Sequence, residues 1–210
     1  MKEVGEIGQL PWLEIKLPKE AIEFLWDTVS HTDSHTDARN GLVGNISKSD
    51  FMLDKDDWFF KNTLEGWCNT MFFKEWTNYY GVYVAKILPP PVFELNGFWV
   101  NYQKQHEFNP PHSHASYYSF VVFMKIPTHW QEQHALPMSE GSATPCASDF
   151  TFLLPYQSEG IRSHRIKLSP EYEGRMLLFP SWLTHQVYPF YGTEEERITV
   201  SGNIERAESS

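Results

Sequence analysis

The chain has 210 residues, enough for a substantial buried core, and a single domain over residues 1–210 is the default expectation. Hydrophobic residues make up 41% and aromatic residues 16% of the sequence, a composition that excludes a disordered chain. The net charge is −10, from 17 Lys and Arg against 27 Asp and Glu. Phosphate backbones and anionic lipids would be repelled, so neither nucleic acid nor a membrane surface is an expected partner.

Two amphipathic helices are predicted within the first 80 residues. Pro18 suits the first turn of a helix whose apolar residues recur at helical spacing until about His31. A second helix is predicted to start near Asp54, where acidic side chains favour the positive end of the helix dipole, and to continue through Met71. The segment between them, residues 31–45, is polar and contains glycine, which indicates a loop.

From Gly81 the pattern changes to short β-branched or aromatic runs separated by Pro and Gly. The seven runs are GVYVAKIL, VFELNGFWVNY, SYYSFVVFMKI, FTFLL, RMLLF, HQVYPF and RITVSGNI. They predict an antiparallel sandwich or jelly roll. We therefore expect a mainly β protein with flanking α, in which a helical N-terminal portion (1–80) packs on a jelly-roll core (81–206). Residues 128–149 form a long polar insertion between strands and are the predicted substrate lid.

Three histidines are candidate metal ligands. His112 and His114 precede a strong strand, and extended backbone turns both side chains to the same side. Pro110 and Pro111 stiffen the approach. His185 begins another strand after the sequence FPSW. Two neighbouring ligands from one strand and a distant one from another can build an open-faced metal site in a jelly roll.

A competing pattern, His-x-Asp, occurs twice in HTDSHTD, residues 31–37. This spacing is typical of non-haem iron sites. The segment follows a predicted helix, however, and its Ser, Thr and Asp residues favour caps and turns. A polar loop is the better interpretation.

The last strand, ERITVSGNI, places Arg197 and Thr199 on one face. A surface face is the ordinary interpretation. If that face lines the barrel instead, the guanidinium can bind a carboxylate through two hydrogen bonds beside the metal, and Thr199 can add a hydroxyl bond. A metal together with such an arginine fits an oxoacid cosubstrate.

Taken together, WVNYQKQHEFNPPHSHASYYSFVVF, GRMLLFPSWLTHQV and ERITVSGNI resemble the 2-oxoglutarate (2OG) and Fe(II)-dependent oxygenases. They are most similar to uncharacterised members of that superfamily from marine phages and bacteria, over about residues 98–204. The resemblance implies a double-stranded β-helix that binds Fe(II) through His112 and His185. It also implies that Arg197 holds the distal carboxylate of 2OG.

Two further positions are compared with the family. Tyr102, ten residues before His112, resembles the tyrosine that often helps to bind the 2OG carboxylate in this family. The alternative interpretation is that Tyr102 is an aromatic residue of the core. Position 114 departs from the family, since most members have His-x-Asp where this chain has His-x-His. Three neutral imidazoles leave the full charge of the iron uncancelled, so redox tuning and 2OG affinity are expected to differ.

The resemblance implies an enzyme that uses 2OG and O₂ to hydroxylate a substrate, with a peptidyl residue such as proline favoured over a free metabolite. A three-histidine cupin-type metalloenzyme is an alternative with the same barrel, although Trp182 stands where cupins place glycine. A β-sandwich interaction module without catalytic activity is the second alternative.

The expected compartment is the cytoplasm, or the host cytoplasm if the gene is phage-encoded. The N-terminus lacks a charged-then-apolar signal pattern, and no 18 apolar residues run together. Two cysteines, Cys68 and Cys146, form neither a disulfide framework nor a CxxC motif, which favours a reduced compartment.

Overall fold

The computed structural model describes residues 10–31, 36–80, 91–155 and 160–207. Within these ranges ten strands form two antiparallel sheets. The strands are β1 (Leu13–Lys16), β2 (Ser49–Phe51), β3 (Phe93–Gln103), β4 (Asn109–His112), β5 (Tyr118–Lys125), β6 (Phe150–Pro155), β7 (Ile161–Ile166), β8 (Arg175–Pro180), β9 (His185–Val187) and β10 (Arg197–Arg206). The larger sheet has the order β1-β8-β5-β10-β3-β2, and the smaller has the order β4-β9-β6-β7. The predicted jelly roll is confirmed.

Both predicted N-terminal helices are present. They are α1 (Lys19–Ser30) and α2 (Glu65–Tyr80), the latter preceded by one π-helical stretch at Phe60–Leu64. The Asp54 carboxylate accepts hydrogen bonds from the backbone N–H groups of Phe59 (2.8 Å) and Phe60 (2.9 Å). These donors at the start of a helix would otherwise lack partners, which explains why helical structure begins at this acidic position. None of the helices among the described residues has the length and apolar character that spanning a bilayer requires.

The N-terminal portion contributes strands as well as helices. β1 and β2 form the two edges of the larger sheet, so residues on both sides of position 80 belong to one sheet. The predicted strand GVYVAKIL lies outside the described residues. β7 was not predicted, because its sequence IRSHRI is polar and it lies at the edge of the smaller sheet, exposed along most of its length.

Two apolar clusters flank the larger sheet. The first lies between the helices and the sheet and includes Leu25, Phe59, Leu64, Val100, Phe120, Val122, Leu178 and Val200. The second lies between the two sheets and includes Val121, Phe123, Phe150, Phe152, Leu177 and Phe179. Alternate residues of β5 enter the two clusters, so the strand is buried on both faces. This explains why its central run, FVVFM, is apolar without a break.

Candidate metal centre

The three candidate histidines converge. His112 ends β4, His185 begins β9, and the two residues are direct partners in the antiparallel pair. Their ring centroids are 4.2 Å apart, and the His114 ring lies 5.1 Å from His112 and 5.3 Å from His185. One ring nitrogen from each histidine lies within 4.8 Å of the others. The three side chains are therefore placed to bind one metal ion.

The turn between β8 and β9 explains how distant residues meet. The backbone carbonyl of Ser181 accepts a hydrogen bond from the N–H of His114 (2.8 Å), and the Ser181 N–H donates to the carbonyl of Tyr117 (3.1 Å). The Ser181 hydroxyl also hydrogen-bonds the Ser119 hydroxyl at 2.7 Å. The sequence FPSWLTH thus does two things: it carries His185, and it binds the backbone that follows β4.

Backbone carbonyls orient two of the imidazoles. Nδ1 of His112 lies 2.8 Å from the carbonyl oxygen of Pro110, and Nδ1 of His185 lies 3.0 Å from that of Leu183. A carbonyl only accepts, so each Nδ1 carries the proton and donates it. Nε2 of each ring then holds the free lone pair, the arrangement usual for metal-ligating histidines.

Burial keeps these imidazoles neutral. It lowers the pKa of His185 to about 3 and the pKa of His114 to about 4, and His112 adds a smaller lowering effect on both. Burial also lowers the pKa of His112, against the opposing effect of its bond to Pro110. A metal ligand must be the neutral imidazole, and at neutral pH no proton has to be displaced before a metal binds.

Arg197 lies in the wall of the same cavity. It is the first residue of β10 and the direct partner of Gln103 in β3, and it is only 1% exposed. Its guanidinium lies over the ring of Phe190 at 5.0 Å. Burial lowers the pKa of Arg197 to about 9, although Asp149 opposes the effect, so the side chain is still a cation at neutral pH.

The cavity has a volume of about 140 Å³ and is lined by all three histidines and Arg197. Thr199 lines it too, on the face predicted from the strand alternation. Directly paired residues on neighbouring strands point to the same face of a sheet, so β3 also contributes side chains to this wall of the cavity. The paired lining residues are Arg197 with Gln103, Thr199 with Asn101, and Ser201 with Trp99.

The structure does not bring Tyr102 to the cavity. It lies between Asn101 and Gln103 in β3, so its side chain points to the opposite face of the sheet. There it packs in the first apolar cluster at 8% exposure, with Nζ of Lys48 4.0 Å from the ring centre. This is the core-aromatic alternative, and Tyr102 is left out of the proposed site.

The insertion at 128–149 contributes no residue to the lining of this cavity. It contains a short helix, α3 (Trp130–His134), and Gln133 exchanges two hydrogen bonds with the backbone of Tyr191, both of 2.9 Å. The segment is thus anchored to the backbone of Tyr191, and the predicted lid stays a prediction. Part of the cavity wall comes instead from the polar loop predicted at 31–45 and its continuation: Leu42, Val43, Gly44 and Ile46.

The HTDSHTD segment does not join the metal centre. His31 is exposed beside Asp27, and the Asp37 carboxylate is bound by the Arg39 guanidinium at 2.6 Å. His35 lies outside the described residues. The described part of this segment agrees with a polar loop.

A jelly roll that brings three imidazoles and a buried guanidinium to one cavity could hold a metal ion beside a carboxylate. A family model described as "Putative 2OG-Fe(II) oxygenase" matches residues 97–203, about half of the chain. The chain belongs to this family of 2OG- and Fe(II)-dependent oxygenases. No curated protein sequence matches the chain significantly.

Solved structures share the fold at low sequence identity. An oxidoreductase of the 2OG-Fe(II) oxygenase family from Burkholderia pseudomallei aligns with 97% of this chain and 88% of its own, at 8% identity and a TM-score of 0.57. A prolyl-4-hydroxylase from Pseudomonas putida aligns with 98% of this chain and 97% of its own, at 14% identity and a TM-score of 0.50. The viral collagen prolyl hydroxylase of Paramecium Bursaria Chlorella virus-1, solved as a 2OG complex, covers 97% of this chain and 100% of its own, at 11% identity and a TM-score of 0.50.

The residues of the cavity fit both cofactors of the family, Fe(II) and 2OG. Neutral imidazole is a suitable ligand for iron. Nε of Arg197 is buried and has no hydrogen-bond partner among the described residues, so a donor remains for a carboxylate. Family membership and this fit favour the oxygenase over the cupin-type enzyme and the interaction module.

Proposed function

We propose that the chain is a dioxygenase that couples the oxidation of 2OG to the hydroxylation of a substrate C–H bond. Three neutral imidazole nitrogens within 4.8 Å of one another, in a cavity whose lining also includes a buried arginine, carry this proposal. In the proposed site His112, His114 and His185 hold Fe(II). When bound, the cofactors supply oxidative decarboxylation of 2OG to succinate and CO₂, with one oxygen atom of O₂ entering succinate and the other the substrate.

The protein binds and orients the reactants and excludes water from the site. Arg197 binds the distal carboxylate of 2OG, and Thr199, two residues along the same face of β10, adds a hydroxyl donor. Both lie on the larger sheet, whereas His112 and His185 lie on the smaller one. 2OG would therefore bridge the two sheets, with its keto-acid end toward the histidines.

The ligand set makes this centre more positive than one with His-x-Asp. His114 is buried next to His112 and His185, and no Asp or Glu among the described residues joins the cluster. Three neutral ligands leave a bound Fe(II) with its charge of +2, whereas a carboxylate would reduce it. This excess favours a dianionic cosubstrate in the cavity.

We favour a peptidyl residue such as proline as the substrate over a free metabolite. The support is that a bacterial prolyl-4-hydroxylase and a viral collagen prolyl hydroxylase share the fold, at identities of 14% and 11%. Exposed apolar side chains at the loop that walls the cavity, among them Val43, would suit contact with an extended peptide.

The proposal is tested by measuring succinate formed from 2OG by the Fe(II)-loaded protein in air. We expect slow succinate formation without substrate, acceleration by proline-containing peptides, and loss of both rates after chelation of the metal. A protein that retains one Fe(II) per chain and forms no succinate above the metal-free background would contradict the proposal. Acceleration by free amino acids or other metabolites, but not by peptides, would contradict the preferred substrate class alone.

A further inference from the structure

The hydrogen bonds of Arg197 lead to one serine in the insertion at 128–149. Nη2 of Arg197 donates to the backbone oxygen of Ser148 at 3.0 Å and to its hydroxyl oxygen at 2.6 Å. Nη1 donates to Oε1 of Gln103 at 3.2 Å. Of the five N–H groups of the guanidinium, Ser148 and Gln103 occupy three, and the N–H on Nε and one on Nη1 remain.

Ser148 is held in an unusual conformation. Its φ is +73°, a value that non-glycine residues seldom adopt, and its side chain is completely buried. Its N–H donates to the carbonyl of Pro189 at 2.8 Å, and its hydroxyl lies 3.2 Å from that of Thr128. Such backbone strain persists only where the surroundings determine it, and it is concentrated at functional sites.

The neighbouring residues keep Ser148 in place. Asp149 follows it, is fully buried, and accepts a hydrogen bond from Nε2 of His134 in α3 at 3.0 Å. The backbone of Asp149 makes two further hydrogen bonds. Its N–H donates to the carbonyl of Cys146 (3.1 Å), and its carbonyl accepts from the N–H of Tyr188 (2.9 Å). The insertion is thus anchored next to the residue that contacts Arg197.

We propose that Ser148 is a positioning residue that fixes the guanidinium of Arg197 in the cavity wall. The inference rests on the proposed function for its effect on 2OG. A free arginine side chain must lose much rotamer freedom when it binds a carboxylate, whereas one that is already oriented loses little. The insertion then serves cosubstrate binding through its contact with the arginine.

The variant Ser148→Gly tests this role with little risk to the fold. Glycine adopts a φ of +73° without strain, and the variant removes the hydroxyl while it keeps the backbone oxygen. Ser142→Gly is the matched control, because Ser142 is exposed in the same insertion and its hydroxyl accepts only from the N–H of Thr144. Both variants are compared with wild type, loaded with Mn(II) to exclude turnover.

Two readouts separate positioning from a structural role. The first is the dissociation constant of 2OG, which we expect to rise about tenfold in Ser148→Gly, as for loss of one hydrogen bond to a charged group, with Mn(II) affinity unchanged. The second is the ¹⁵N NMR signal of the guanidinium, recorded on metal-free protein because paramagnetic Mn(II) would broaden it, and assigned by its absence in Arg197→Lys. We expect slow proton exchange and hindered Nη rotation in wild type and Ser142→Gly, and faster exchange and rotation of Nη2 in Ser148→Gly, where its bond to the backbone oxygen remains.

Guanidinium signals that are identical in wild type and Ser148→Gly would overturn the positioning role, as would equal losses of 2OG affinity in Ser148→Gly and Ser142→Gly. The signals are recorded without 2OG, so they decide the role of Ser148 independently. Failure of wild-type protein to bind 2OG would instead overturn the proposed function.

Discussion

His185→Gln is expected to abolish Fe(II) binding and succinate formation together. His185 is 5% exposed, and its ring centroid lies 4.2 Å from that of His112 and 5.3 Å from that of His114. Glutamine is similar in volume and polar, so the variant tests the imidazole rather than the packing. Loss of a residue that only orients a ligand costs about 10–100-fold in metal affinity, and loss of the ligand itself should cost more than about 100-fold. Iron per chain after anaerobic loading and desalting measures the effect.

The matched control for this experiment is His129→Gln. His129 is nearly half exposed, and it lies 4.0 Å from the Glu171 carboxylate at the surface. We expect it to retain one iron per chain and wild-type succinate formation. Normal iron content and turnover in His185→Gln would remove His185 from the metal centre and refute the proposed ligand set.

Arg197→Met is expected to weaken 2OG binding by at least about 100-fold while metal binding is retained, because a paired ionic contact in a buried site is lost. Methionine keeps much of the length and volume of the side chain but offers no donor. The variant also leaves the acceptors of Ser148 and Gln103 without their arginine, which should cost about 1–3 kcal/mol of unfolding free energy. Titration of 2OG into Mn(II)-loaded protein gives the affinity, and urea unfolding shows that the variant is folded.

Arg206→Met is the control for the arginine variant, since Arg206 is exposed at the other end of β10. We expect its 2OG affinity to equal that of wild type. Loss of metal with undiminished 2OG affinity in Arg197→Met would be opposite to the proposed division of roles between the histidines and the arginine.

The metal centre could be predicted because its signals are local. His-x-His before a strand and a histidine after FPSW are visible as short motifs, and extended backbone alone turns His112 and His114 to one side. Their meeting with His185 depends on the register of β4 against β9, which no local pattern states. The resemblance to a family supplied that step, and the pairing in the structure agrees with it.

The residues that surround the metal centre and Arg197 could not be predicted in the same way. In β3, Trp99, Asn101 and Gln103 face the cavity, and strand alternation turns Tyr102 to the opposite face of the sheet. The sequence shows this alternation, but which face of β3 meets the cavity depends on its register against β10. Ser148 carries no sequence signal at all, because its left-handed backbone is imposed by long-range contacts to Pro189 and Thr128. The short edge strands β1 and β2 depend likewise on partners far along the chain.

The visible absorption spectrum of the Fe(II)-loaded protein on anaerobic addition of 2OG shows whether the keto acid binds at the metal. A keto acid that chelates iron gives a metal-to-ligand charge-transfer band, which distal binding or binding elsewhere cannot produce. We predict a band that saturates at one 2OG per chain, is absent in His185→Gln, and requires far more 2OG in Arg197→Met. Wild-type protein that holds one Fe(II) per chain and shows no band at saturating 2OG would contradict the account.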